Sequence, residues 1–344
     1  MQPLDASRIQ QLIQSGYGKQ IVVLGDLMVD RYLWGKVSRI SPEAPVPVID
    51  IDDEEIRFGG AANVAYNLIS LGARPLVVGV VGLDQWGKIF HSMLLDKNLR
   101  GDGLVMDESR PTTLKTRIIG NSQHIARVDR ESTAPIGPAI QEKIFQFVAS
   151  VIDEVEGIIF EDYNKGVLVP ELFHRIIELA RQRDKFVAVD PKFDHFLEYR
   201  GVTLFKPNRK ETEEALAMRL NGREALEKAG RLLLERLQAK GVLITLGAEG
   251  MALFQPDREP LLMPTQARKV ADVSGAGDTV IATLAYALAG GAGFEEAMTL
   301  ANFAAGLVCE EVGVVPVDRQ RLIDELMLWA GGVPSPAAQQ GDGS

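Results

Sequence analysis

The chain has 344 residues, 46% of them hydrophobic and 24% charged, which suffices for one large α/β domain or two modest ones. Its formal net charge of −10 excludes broad, non-specific nucleic-acid binding, which needs a basic face, and leaves room only for a local basic pocket. A single cysteine, Cys309, excludes an intrachain disulfide and a cysteine-rich zinc site, and the histidines His91, His124, His174 and His195 have no metal-ligand spacing.

At the N-terminus, MQPLDASRIQQLIQSGYGKQ has no apolar core of signal-peptide type and reads as a polar helix. IVVLG (21–25) follows as a buried strand. The proline-rich SPEAPVPVIDID, within 31–57, breaks the pattern and then runs extended. GGAANVAYNLISLG (59–72) predicts a helix, with Val64, Leu68 and Leu71 at helical spacing and Gly72 as the stop. PLVVGVVG (75–82) is a second buried strand. Residues 112–130 alternate polar and apolar around Gly120–Asn121–Ser122, the pattern of a hairpin. Further strands are expected at 157–163, 186–192, 202–208 and 242–247. Helices are expected at 138–154, 171–183 and 211–239, the last broken at Asn221–Gly222. No apolar run approaches the ~20 residues of a membrane span, so a cytoplasmic protein without a membrane partner is expected. GGVPSPAAQQGDGS (331–344) reads as a disordered tail after one domain, 1–330.

Continuous apolar strands alternating with helices imply a doubly wound, mainly parallel sheet with helices on both faces. The stretches 31–57 and 112–130 would add a small antiparallel β lid or an ordinary edge extension. Polar residues gather where the strands end: Asp26 and Asp30, Asp84, Asp162 and Lys165, Asp190 and Lys192, Asn208, then Thr245 and Gly247. In open parallel sheets ligands bind outside the carboxyl ends of the strands, so these positions share one candidate edge.

DVSGAGDTVIATLAYALAGG (272–291) places flexible residues and a carboxylate ahead of an apolar helix bearing Val280, Ile281, Leu284 and Leu288. Free N–H groups and the helix dipole make Gly275, Ala276 and Gly277 a candidate phosphate cradle. Asp278 at its mouth suits the base that deprotonates a hydroxyl during phosphoryl transfer. The same pattern fits a helix cap in a tight turn, and this stretch alone leaves both readings open. No G-x-x-x-x-G-K-[ST] exists; Gly275-x-Gly277 runs on to Val280, not to a third glycine; no G-x-S-x-G elbow is present.

Taken together, GGAANVAYNLISLG, KPNRKE, TLGAEG and DVSGAGDTVIATLAYAL, in this order, resemble the ribokinase-like (PfkB-type) carbohydrate kinases over about 20–318. The resemblance implies Asp278 as catalytic base and Gly275, Ala276 and Gly277 as anion hole. It implies that Asn208 and Glu211 organise ATP phosphates and, indirectly, Mg2+, and that Thr245 and Gly247 line the nucleotide site. Asp30, Gly59, Gly60 and Asn63 would hold the sugar, and 31–57 with 112–130 would form the lid, through which two copies would pair as a homodimer. Asp272 would either coordinate a monovalent cation such as K+ or brace its loop.

GDLMVDRYLWGKVSRISPEAPVPV, EDYNKG, DPK and MPTQARKVADVSGAGDTV are similar to those of kinases acting on D-glycero-β-D-manno-heptose 7-phosphate. That narrower resemblance implies phosphorylation at O1 to the 1,7-bisphosphate, for ADP-heptose and lipopolysaccharide-core precursors. With no H-x-G-H motif present, the kinase-only form is expected. Glu161 stands where such chains usually carry a small residue, and Ser274 replaces a common threonine. A phosphorylated substrate calls for local cations, with Lys165, Lys192, Lys115, Arg117 and Arg127 as candidates; Lys165 and Arg127 are the two assigned here to substrate. Kinases for fructose 6-phosphate, tagatose or ribose derivatives, and a non-catalytic sugar-responsive protein, stay open as alternatives.

Overall fold

Ile21 and Val23 face one apolar cluster, and Val22 and Leu24 face the other. That two-residue alternation is what a strand shows when both faces of its sheet are covered. The strand, β1 (Gln20–Gly25), follows helix α1 (Ala6–Gly16). The computed structural model describes residues 4–121, 123–267 and 270–331. The expected tail lies outside these residues apart from Gly331, as does Ser122 of the expected hairpin turn.

The first half of the chain continues through β2 (Leu27–Ile40), β3 (Pro47–Gly60), α2 (Ala61–Leu71), β4 (Arg74–Gly82), α3 (Gln85–Asp96), β5 (Arg100–Asp107), β6 (Thr113–Gly120) and β7 (Gln123–Arg130). Then come α4 (Pro138–Val151), β8 (Gly157–Glu161), α5 (Pro170–Gln182), β9 (Phe186–Asp190), β10 (Leu204–Phe205), α6 (Arg209–Leu216), α7 (Gly222–Leu237) and β11 (Gly241–Thr245). The chain closes with β12 (Met251–Phe254), β13 (Leu261–Met263), α8 (Ala276–Ala289), α9 (Phe294–Cys309) and α10 (Arg319–Ala330).

The large sheet has the order β13-β12-β11-β10-β9-β8-β1-β4-β5. It is parallel from β5 to β11, and β12 and β13 add an antiparallel edge. One apolar cluster joins it to α1, α2, α3, α8, α9 and α10, the other to α4, α5 and α7. This is the doubly wound arrangement expected, with helices on both faces.

The two irregular stretches form a separate sheet of order β3-β2-β6-β7. Its two hairpins are antiparallel, and a parallel pairing of β2 with β6 joins them. The lid strands begin earlier than expected, at Leu27, because only Asp26 separates β1 from β2. The lid therefore grows straight out of the middle of the large sheet.

Some boundaries differ from expectation for local reasons. Gly59 and Gly60 end β3, and α2 begins only at Ala61. Gly60 has φ +58°, a left-handed turn that a side chain disfavours, and the chain reverses there against the Asp26 carbonyl. The strand expected at 202–208 shrinks to Leu204–Phe205 ahead of Pro207. The helix expected from 211 starts at Arg209 and stops at Leu216, where Ala217 turns left-handed with φ +50°.

Candidate functional site

Asp278 lies in the first turn of α8, but the residue at the cap position is Gly275, with φ +78° and no side-chain cap. A left-handed cap without a Cβ leaves the helix N–H groups facing outward. The Asp278 carboxylate turns instead across the molecule. Oδ2 accepts from Asn63 Nδ2 at 2.6 Å and Oδ1 from the Tyr163 hydroxyl at 3.0 Å. Of the two readings open from sequence, the helix cap is thus ruled out for this carboxylate. Burial first, then the charge on Asp190, pushes its pKa up to about 6, against the hydrogen bonds of Asn63 and Tyr163 and the charge of Lys206.

The strands supply the facing groups. β8 and β9 pair in register, Glu161 with Asp190, so the two side chains leave the same face of the sheet, toward α8. One carboxylate oxygen each from Glu161, Asp190 and Asp278 lies within 4.8 Å of the others. Lys206 Nζ sits 2.8 Å from Asp190 Oδ2, both side chains buried. A Cβ on Gly277 would meet those same two atoms at 3.7 and 3.8 Å. The open side of the candidate cradle thus faces a buried ammonium.

Asp30, Gly59, Gly60 and Asn63, expected to hold a sugar, lie near one another where β2 and β3 meet α2. Asp30 on β2 is buried and ion-paired with Arg117 on β6. Burial raises its pKa in spite of that pair. Gly59 lies directly over it: a Cβ there would come within 2.6 Å of Asp30 Oδ2. Gly60 turns the chain into α2, which carries Asn63 to Asp278. The Asp26 carboxylate accepts N–H bonds from Tyr163, Lys165 and Val167 at 2.7, 3.0 and 3.3 Å. That carboxylate shapes the EDYNKG loop and aims Tyr163 at Asp278.

Each of the five candidate cations has a carboxylate partner. Lys165 and Lys115 converge on Glu131 at 2.8 and 3.2 Å, and Lys115 also reaches Asp129 at 3.3 Å. Arg117 holds Asp30, and Lys192 holds Glu211. Arg127 pairs with Asp129 at 3.1 Å on the exposed strand β7. It lies opposite Arg117 in register, on the same lid face as Asp30 and Tyr32. Arg57 was not singled out by sequence. It stacks over Tyr32 at 5.0 Å, opposite Arg117 at 5.1 Å, and donates to the Val314 carbonyl at 3.2 Å.

On the other side, Asn208 and Glu211 form a reciprocal capping box at the start of α6, with bonds of 2.9 and 2.8 Å. Asn208 also bridges to Thr245, which sets this helix beside the end of β11 and the turn at Gly247. Both Asp272 oxygens accept backbone N–H groups, from Ser274 at 2.9 Å and Gly313 at 3.0 Å. Partial burial works against its charge, but these bonds hold its carboxyl below the usual range. They tie the 272–275 loop to the loop before α10.

Tyr163, Asp190 and Lys206 complete the constellation. The sequence marks Asp190 only as a strand-end residue and gives Tyr163 and Lys206 no role of their own. Lys206 had a signal in VTLFKPN, a lone cation in an apolar run, and buried cations need partners. A cavity of about 670 Å³ lies elsewhere, lined by residues such as Arg8, Thr203, Arg258 and Phe294, and it includes none of these groups. What the site can do follows from its parts: a buried carboxylate held by two donors, placed in the first turn of a helix and beneath a small antiparallel sheet.

The chain matches the description "pfkB family carbohydrate kinase" over residues 19–320. It is similar to the "Bifunctional protein HldE" of Geobacter sulfurreducens, 44% identical over 94% of this chain and 66% of that protein. It is likewise similar to the "Bifunctional protein HldE" of Helicobacter hepaticus, 45% identical over 86% of this chain and 61% of that protein. The chain spans just under two thirds of the length of these curated relatives. Among solved structures, it is similar to an Arabidopsis thaliana ribokinase complexed with ribose and ATP, with a TM-score of 0.71, 20% identity, and coverage of 90% of this chain and 99% of that one. At that identity the likeness concerns the fold.

Proposed function

This chain belongs to the pfkB family of carbohydrate kinases, and on that premise we propose that it transfers the γ-phosphoryl group of ATP to O1 of D-glycero-β-D-manno-heptose 7-phosphate. The observation that carries the mechanism is the Asp278 carboxylate, buried, held by Asn63 and Tyr163, and set in the first turn of α8. The similarity to two proteins named HldE, together with the stretches from GDLMVDRY to EDYNKG, supports the heptose substrate.

In this reading the sugar lies on Asp30, Gly59, Gly60 and Asn63, with O1 toward Asp278. Asp278 takes the hydroxyl proton as the oxygen attacks phosphorus. The N–H groups of Gly275, Ala276 and Gly277 hold the charge on the transferring group, and fixed donors do this without reorganising. ATP extends toward Asn208, Thr245 and Gly247. Mg2+ bound with the nucleotide would neutralise phosphate charge. Glu211 fits an indirect, water-mediated role there, since its oxygens already serve the capping box and Lys192. Asp272 fits the brace better than a direct cation ligand, its carboxylate being taken by two N–H groups; a K+ dependence is tested by replacing K+ with Na+.

The substrate's own phosphate would meet the lid cations Lys115, Arg117 and Arg127, joined by Arg57 and by Lys165 of the neighbouring loop. Homodimerisation through the lid is supported by β7, a fully exposed edge strand bearing Ile125 and Val128. No described helix is long and apolar enough to cross a membrane; a cytoplasmic site of action is part of the proposal.

The test is ADP release with ATP and Mg2+ over a sugar panel of heptose 7-phosphate, fructose 6-phosphate, tagatose 6-phosphate and ribose, with a no-sugar control. Turnover confined to heptose 7-phosphate is expected. Turnover with another sugar keeps the kinase and discards the heptose. Sugar binding without ADP release would favour the non-catalytic reading. Gly59→Ala is expected to push Asp30 aside and raise the sugar KM about tenfold or more, with a smaller fall in kcat. An unchanged KM would remove Asp30 from the sugar site.

A further inference from the structure

Glu161 has no part in the mechanism above, yet it is wholly buried at its centre. It ends β8, next to Asp190 in register and facing Asp278, with an oxygen of each within 4.8 Å of the others. Its Oε2 is buried and has no hydrogen-bond partner. The surrounding groups are otherwise matched. Asp190 has Lys206, Glu211 has Lys192, and Asp278 has the donors of Asn63 and Tyr163. Among the described residues, no hydrogen-bond donor reaches Glu161 Oε2. An ionised oxygen left bare in such a place costs far more than a neutral one.

Resting on the kinase reading, we propose that Glu161 is a positioning residue that works as a neutral carboxylic acid in the floor of the site. It fills the space between Asp190 and Asp278 without adding charge. Asp278 is then the one carboxylate of the cluster that is ionised without a cation of its own, and the incoming phosphates meet no further anion. The charged environment agrees. Burial first, then Asp190 and Asp278, drive the Glu161 carboxyl well above the usual range, and Lys206 and Lys192 only partly oppose this. When Glu161 loses its proton at high pH, a new negative charge appears within 4.8 Å of Asp278, the proposed base. The alkaline limb of the pH profile therefore belongs to Glu161.

The direct test is infrared difference spectroscopy of the full chain without nucleotide at neutral pH, wild type against Glu161→Gln. A carbonyl band of a protonated carboxylic acid, shifted in D2O, lost in Glu161→Gln and kept in Asp278→Asn, is expected. In kcat/KM against pH, Glu161→Gln is expected to keep the acid limb and lose the alkaline one, exceeding the wild type at high pH by a margin that grows with pH. No such band in the wild type, or an unaltered alkaline limb in Glu161→Gln, overturns the proposal. So does Mn2+ binding to the nucleotide-free protein, read by electron paramagnetic resonance, that disappears in Glu161→Gln, because the carboxylate would then be an ionised ligand. The infrared arm needs no turnover, so a failed kinase reading and a failed Glu161 assignment are told apart.

Discussion

Asp278→Asn is expected to lower kcat by about 10²–10⁴-fold, the range of a lost general base, with the sugar KM moving by no more than about threefold. The amide keeps the shape of the carboxylate beside Asn63 and Tyr163 but cannot take the hydroxyl proton. The acid limb of the wild-type kcat/KM profile is expected to come from the same group: as the proposed base, Asp278 has to be ionised, so activity should fall as pH drops through about 6. Stability moves the other way. A carboxyl whose folded pKa is raised above 3.8 favours the fold fully below that value, and this contribution is lost as pH rises through about 6. Above that window the buried charge costs on the order of 3 kcal/mol, since one pKa unit is about 1.4 kcal/mol. At pH 7–8 Asp278→Asn should therefore be at least as stable as the wild type toward urea. Near-normal turnover would end the base assignment, and a large loss of stability would end the account of its burial.

Lys206→Met is expected to destabilise the fold by about 3–5 kcal/mol, the cost of leaving a buried partner charge uncompensated. Lys206 and Asp190 are both buried and lie 2.8 Å apart, beside Glu161 and Asp278. Without the ammonium, two further carboxyls crowd a bare Asp190. For a domain whose whole stability is of order 5–15 kcal/mol, this loss is readily seen as a fall in the urea midpoint. Adding Asp190→Asn to Lys206→Met should restore much of it by removing the stranded charge. Equal destabilisation in single and double variants would mean that Lys206 acts through packing rather than charge.

These two residues also mark how far the sequence could be read. Asp278 announced itself because its signal is local: glycines, a carboxylate and an apolar helix within a few residues. The strand ends were legible for the same reason, and the strands β1, β4, β8, β9 and β11 fell where continuous apolar runs placed them. β5, interrupted by Gly101 and Gly103, lacks such a run, and α9, rich in small buried residues, lacks a polar face to mark it. The partners of Asp278 were not legible as partners. Asn63 and Tyr163 reach it from 215 and 115 residues away, through packing that no local pattern encodes. The N-x-x-E of Asn208 and Glu211 forms a helix capping box, a structural role that its spacing also allows.

The 215-residue span between Asn63 and Asp278 also sets a schedule for the chain's birth. At about 5–20 residues per second on the ribosome, α2 emerges some 10–40 s before α8, the helix that covers its apolar face. β1 and β4 can pair once β4 ends at Gly82, but β8, which completes the middle of the sheet, begins only at Gly157. Through that interval Val64, Leu68 and Leu71 have β1 and β4 to pack on but not α8, so the face of α2 that α8 covers stays open. Chaperone capture of ribosome-bound chains should be strongest for lengths that include α2 and stop short of α8, and should fall once Ala289 has cleared the exit tunnel.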